Sequence, residues 1–424
     1  MRPLPPADAF FVYAETRRVP QTVVALTFAD ASMTVPALTS AVAAGLDRMP
    51  WMRQRLVRRG LRGPAWAEQA PDLSAHVLAA ELPAPGIAGA AAFAAGVAGR
   101  RLPSDRPAWA MYVLPDVAPD RVALVIVVHH ALADGPQLIA LLAPLFSPVS
   151  ASRPTVPALA APHPTAPALT VSRPEPRQRR RWWVARGILQ LAADGMVRSG
   201  PYSRRSGPER RLAVASIPLR TIRAAGRAAG AQPTDVVLAA LAGAVASTAA
   251  TERRTLRFAV PVLARSGTAD RAGNRTAALW VTVPLDEKDP ATRLRRIAAT
   301  RARLARSARP AAALAVVNRV GGALPGPLHR LFVAAAYRGR FFHGIVSVMP
   351  GPRRRTRFGP AELVAVHPVL PLAPRVGLGV GALTWGDSLH LGVCTDAGTD
   401  PEALVKALVA EIAALDQDGT MASG

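Results

Sequence analysis

The stretch VALVIVVHHALADGPQLIALLAPLF, Val122 to Phe146, decides how the rest of the chain is read. Seven apolar residues, Val122 to Val128, run into the adjacent histidines His129 and His130. Asp134 and Gly135 follow, and then a segment with helical character. An apolar run of this length reads as a strand buried on both faces. The two histidines close that strand, at a sheet edge where loops and ligands meet. Adjacent strand residues point to opposite faces, so one imidazole can enter a channel while the other packs backward. Gly135 suits a tight turn into the helix, and Asp134 is placed to fix that turn or to pair with an arginine.

Histidine is the side chain best suited to moving a proton near neutral pH, and a positioned histidine base contributes ~10²–10⁴-fold to rate. No protein nucleophile competes with it. The chain has no G-x-S-x-G elbow, no H-E-x-x-H helix and no cysteine in a reactive setting. A base without a nucleophile points to direct attack of one substrate on another. A hydroxyl deprotonated by His130 could attack an activated acyl carbonyl with no covalent enzyme intermediate. A pair of structural histidines is the alternative reading. The full pattern H-H-x-x-x-D-G at a strand-to-helix junction weighs against it.

At 424 residues, half of them hydrophobic, the chain can build two domains or one large one. It carries 52 basic against 28 acidic residues, a net charge of +24, yet only Lys288 and Lys406 are lysines. Such arginine preference reflects genomic base bias as much as a selected surface, but it still attracts acidic partners. Without a nucleic-acid fold signature, coenzyme A phosphates and anionic lipid come before nucleic acid. The lone Cys394 excludes an intramolecular disulfide and any cysteine-based metal site, and it reads as a small core residue. The opening MRPLPPADAFFVYAET has no signal-peptide core, since Asp8 and Glu15 flank a short apolar patch. The charge-free apolar run Val236 to Ala250 is shorter than the ~20 residues of a spanning helix. The expectation is a cytoplasmic protein, or one held peripherally on a membrane or lipid inclusion.

The chain divides into a first half at 1–146, a Pro/Ala/Arg-rich linker at 147–181 and a second half at 182–424. At the linker's end RQRRRWW, Arg177 to Trp183, places basic residues and paired tryptophans before a helical run. That suits an anionic membrane interface, or equally a solvated basic turn before a core-packed helix. Both halves mix helices and strands. TVPALTSAVAAGLDRM is a helix capped by Thr34; Asp289-Pro290 and Asp400-Pro401 open two more. QTVVALTF, TLRFAVPVL, AALWVTVPL, HGIVSVM, ELVAVHPVL and SLHLGVC read as strands. Two α/β halves of similar make-up suggest a pseudo-duplicated architecture.

With these segments in view, the chain resembles the bacterial wax ester synthase/diacylglycerol acyltransferase family, part of the chloramphenicol acetyltransferase-like, coenzyme A-dependent acyltransferases. The likeness runs end to end apart from the linker. PLPPADAFFVYAETRRVPQTVVALTF is similar to the family's opening, and HHALADG matches its H-H-x-x-x-D-G signature in full. RPAWAMYVL resembles its Pro-Leu-Trp motif, with Ala108 for leucine and Trp109 kept. PTDVVLAALAGAV resembles its Asn-Asp motif, with Thr234 for asparagine and Asp235 kept. GNRTAALWVTVPL matches at Gly273 and Asn274, while SVMPGP has Val348 where asparagine is usual.

The resemblance implies an α/β fold of two chloramphenicol acetyltransferase-like domains with a tunnel between them. It implies His130 as general base, beside His129 and Gly135, with Asp134 holding the loop. It implies acyl-CoA as co-substrate, diacylglycerol or a fatty alcohol as acceptor, and no bound cofactor or metal. Asn274 is a candidate oxyanion donor, or equally a turn-forming residue of its Gly-Asn pair. Trp109 is a candidate substrate contact, though tryptophan in such a run more often anchors a core. The changes at Ala108, Thr234 and Val348 leave two alternatives open: an acyltransferase for another alcohol or an amine, as in condensation-type proteins, or a non-catalytic lipid-binding paralogue.

Overall fold

The computed structural model describes residues 1–148, 177–204, 207–263, 274, 276–354 and 356–421. The Val122–Val128 run does form a central strand, Arg121–His129. Its side chains divide between two cores by the strand's period of two. Val122, Leu124, Ile126 and Val128 pack with Leu38 and Val42 of the helix Val35–Gly45. Ala123, Val125 and Val127 pack with the alanine face of the helix Gly86–Ala98. Both faces are covered, which is why no polar residue interrupts the run.

This strand sits in a seven-stranded sheet ordered Val77–Ala79, Trp109–Ala118, Arg121–His129, Thr22–Asp30, Ala361–Val369, Thr356–Phe358, Phe146–Pro148. All neighbours are antiparallel except the first pair. A second sheet has six strands, ordered Thr276–Pro284, Thr255–Leu263, Gly344–Met349, Leu378–Trp385, Ser388–Asp396, Arg210–Pro218. Around it the helices Leu219–Ala228, Pro290–Ala305 and Pro401–Met421 surround the helix Pro233–Thr248. That last helix is buried on every side from Asp235 to Val245. The charge-free run from Val236 is therefore a core helix, apolar all round because protein surrounds it. Among the described residues no helix is long and apolar enough to cross a membrane.

The caps stand where the sequence places them. Thr34 accepts from the Ala37 amide at 3.3 Å, Asp289 from Thr292 at 2.8 Å and Asp400 from Glu402 at 2.9 Å. Cys394 is buried in the core beneath the helix Gly86–Ala98, and burial pushes its thiol up to about 12, so it packs without reacting.

Two boundaries differ from the expected division. Strands Thr356–Phe358 and Ala361–Val369 belong by sequence to the second half, yet they complete the first sheet between Thr22–Asp30 and Phe146–Pro148. The halves are thus stitched by strand exchange and not cut at one point. Local alternation identifies a strand but not its partner, so the pattern cannot reveal this. The linker is also shorter than 147–181. Ser147 and Pro148 extend an edge strand, and Arg177–Arg181 begin the helix Arg177–Asp194. Its remainder lies outside the described residues.

Candidate active site

The backbone of the histidine pair is tied on both sides. The His129 amide donates to Ala108 O at 3.0 Å and the His130 amide to Gln21 O at 2.8 Å. Gln21 is buried and its side chain reaches Leu372 O at 3.1 Å, so the neighbouring strand is itself fixed. Position 108 serves His129 through its carbonyl, a function that alanine and leucine share.

The two imidazoles then diverge. His129 is buried; its Nδ1 accepts from the Ala131 amide at 3.0 Å, which leaves the proton on Nε2. Nε2 faces Glu15 Oε1 at 3.5 Å, an electrostatic contact longer than a hydrogen bond. Glu15 Oε2 in turn meets Arg58 Nη2 at 2.5 Å and Arg101 Nε at 3.0 Å. Burial alone would raise the Glu15 pKa. The His129 imidazole and the two guanidiniums outweigh it and bring the carboxyl down to about 2.

His130 points the other way and is half-buried as a residue. Phe11 stacks on its ring, with centroids 3.7 Å apart and planes within 12°. Burial lowers its pKa most, while its own backbone carbonyl and the Asp134 charge pull upward; the imidazole ends near 4, well below its usual range. It is an uncharged base at neutral pH.

Asn274 joins the halves here. Its Nδ2 donates to His130 O at 2.9 Å and to Asp8 Oδ1 at 2.9 Å, and its backbone amide donates to the same Asp8 oxygen at 2.6 Å. Both amide hydrogens are engaged. The reverse orientation would set a carbonyl against a carboxylate and another carbonyl, so the hydrogen bonds fix the amide as placed. Asn274, read from the sequence as an oxyanion donor or equally a turn former, here clamps the His130 backbone with both amide hydrogens engaged. Asp8 is buried. Burial chiefly, with the Asp134 charge, raises its carboxyl to about 6 against the two Asn274 bonds.

Asp134 caps the helix Gly135–Leu141, accepting from the Gln137 amide at 3.1 Å. Gly135 sits at a close approach and not at a turn. A Cβ there would stand 2.2 Å from Met349 Sδ, at the end of strand Gly344–Met349 of the second sheet. Trp109 is 1% exposed, stacks on His76 with centroids 4.3 Å apart and donates through Nε1 to Met52 O at 2.8 Å. With its one polar atom satisfied inside the core, it anchors packing, the second of the two roles open to it. Asp235 is likewise structural, closing a capping box with Gln232 and pairing with Arg301 at 2.9 Å. Gly273 lies outside the described residues.

Sequence reading missed Asp8, Phe11 and Glu15 as site residues. They share one stripe along and just past the helix Pro6–Ala14, at spacings of three and four. A polar–aromatic–polar stripe on a short helix was the available signal.

Comparison with known proteins agrees with this arrangement. Among solved structures, the wax ester synthase/diacylglycerol acyltransferase of Marinobacter aquaeolei VT8 matches over 99% of this chain and 100% of its own, with TM-score 0.69 and 22% identity. A variant starter condensation domain of rhizomide synthetase in complex with C8-CoA matches over 98% and 94%, with TM-score 0.60 and 16% identity. Two α/β halves of this kind, meeting at a histidine motif, define a chloramphenicol acetyltransferase-like acyltransferase fold. The chain belongs to the wax ester synthase/diacylglycerol acyltransferase family: the family's catalytic-domain model matches residues 4–189 and its C-terminal-domain model residues 272–416. A Mycobacterium tuberculosis relative named as a candidate diacylglycerol O-acyltransferase is 27% identical over 95% of this chain and 93% of its own length. Another from the same species, similarly named, is 29% identical over 81% and 79%.

Proposed function

We propose that the protein transfers a fatty acyl group from acyl-CoA to diacylglycerol or a long-chain alcohol, giving triacylglycerol or wax ester, with His130 as general base. The observation that carries this reading is the uncharged His130 imidazole, stacked on Phe11 where the two halves meet. The structural neighbour holding C8-CoA, and relatives named for diacylglycerol acylation, favour this donor and acceptor over others.

In the proposed reaction His130 removes the proton of the acceptor hydroxyl. The oxygen attacks the thioester carbonyl, and a tetrahedral oxyanion forms. As it collapses the C–S bond breaks, the imidazolium returns its proton to the departing thiolate, and ester and coenzyme A leave. The Phe11 stack and the Asn274 clamp hold the base in register for both transfers. A base neutral at pH 7 is ready for the first transfer without prior deprotonation.

The acceptor assay tests the reading. Purified protein is given palmitoyl-CoA with dioleoylglycerol, hexadecanol or neither, and both thiol release and lipid product are followed. Release that needs an acceptor, with triacylglycerol or wax ester formed in step, is expected. Binding of both lipids without release overturns the catalytic reading.

A further inference from the structure

Behind the histidine pair lies a cavity of about 560 Å³, within the roughly 300–1,000 Å³ usual for ligand pockets. The first half supplies one wall, from the end of helix Pro6–Ala14 and the turn at 58–64; Gly326, Pro327 and Arg330 of the second half supply the other. Five guanidiniums line it, those of Arg17, Arg58, Arg59, Arg101 and Arg330, against the single carboxylate of Glu15. That carboxylate is already shared between Arg58, Arg101 and His129. Arg17 and Arg330 are exposed at the rim and enter no hydrogen bond or ion pair among the described residues.

The floor is kept bare. Gly60 and Gly63 sit at φ of +56° and +71°, where other residues are strained. At Gly326 a Cβ would stand 2.7 Å from Gly60 O and 3.0 Å from the Tyr13 hydroxyl. Converging arginines around an open floor suit an anion with several oxygens, which guanidinium binds in paired hydrogen bonds. Low-dielectric walls concentrate the field of so many like charges on whatever enters.

We propose that this cavity is a phosphate-ester subsite. The proposal rests on the acyl-CoA reading above, which supplies coenzyme A's phosphates as the occupant. A phospholipid headgroup offers the same chemistry, and the exposed Leu61 and Leu328 nearby make that source worth separating.

The test uses the full chain and the variant Arg17→Gln/Arg330→Gln. Both side chains are exposed and, among the described residues, enter no ion pair, so the variant should melt with the wild type. Calorimetric titration with adenosine 3′,5′-bisphosphate should show binding that weakens with salt and falls at least about tenfold in the variant. Flotation with vesicles containing phosphatidic acid should be equal for the two proteins. Loss of flotation in the variant, with bisphosphate binding unchanged, would overturn the coenzyme assignment and leave a lipid-phosphate site. No change in either arm overturns the subsite. Because the titration needs no turnover, failure of the subsite and failure of the acyl-transfer reading are told apart by thiol release in the wild type.

Discussion

Asn274 donates to the carbonyl of His130 across 2.9 Å while holding Asp8 with the same amide, so a residue of the second half fixes both the proposed base and the helix that carries Phe11. The site is completed by contact between the halves.

Asn274→Ala removes the side-chain donor to the buried Asp8 carboxylate, leaving only the backbone amide there, and releases the His130 carbonyl. It should cost about 1–3 kcal/mol of stability and lower kcat roughly tenfold to hundredfold. Asn274→Asp should be worse, because it sets a second carboxylate against Asp8. Chemical denaturation and thiol-release kinetics check both, and an aspartate variant as active as wild type contradicts the clamp.

Glu15 holds His129 from behind. Its folded pKa, about 2, lies below the ordinary 4.5, so its contribution to stability is complete above that value and is lost as pH falls toward 2. Because its arginine partners reach solvent, Glu15→Gln should cost only about 2 kcal/mol at pH 7. The gap from wild type should narrow steadily between pH 4.5 and 2. Urea midpoints across that range give the answer; a gap independent of pH contradicts the assignment.

Activity should resist acid further than an ordinary histidine allows. The neutral imidazole is the active form, and burial lowers its pKa from 6.5 to about 4. The acid limb of kcat/KM should therefore fall below 6.5, with little loss from pH 8 to about 6. An acid limb centred at 6.5 or above would show that the ring is more solvated than its packing implies.

The helix Arg177–Asp194 leaves Trp182 74% and Leu189 71% exposed, while its buried Gly187 packs on the chain near Ala308. The core-packed alternative is thus only partly met, and the apolar side left open suits an anionic lipid surface. Trp182→Ala/Leu189→Ala should weaken flotation with anionic liposomes, and salt should weaken it further. Trp183 is half-buried beside Arg186, so its replacement should matter less. Equal flotation of all three proteins excludes this helix as the anchor.

Much of the frame was legible because its signals are local. The Val122–Val128 run, the Asp-Pro helix openings and the even spacing of Leu404, Leu408 and Ile412 each follow from a single element's own period. The exchange of Ala361–Val369 into the first sheet was not legible, since strand pairing is settled by contacts remote in sequence. The same limit governed the site. The motif displayed His130 and Asp134, but Asp8, Phe11 and Glu15 gain meaning only once the helix Pro6–Ala14 lies against the histidines. The sequence leaves Asn274 and Trp109 open between a contact with substrate and a structural role. Their hydrogen bonds assign them to architecture, because a satisfied amide or indole N–H has nothing left to offer a ligand.

The most direct measurement is acceptor-dependent thiol release from palmitoyl-CoA by wild type and His130→Ala, with matched folding checked by melting. The account predicts at least a hundredfold loss in the variant. Turnover within a few-fold of wild type would contradict it, whatever the acceptor.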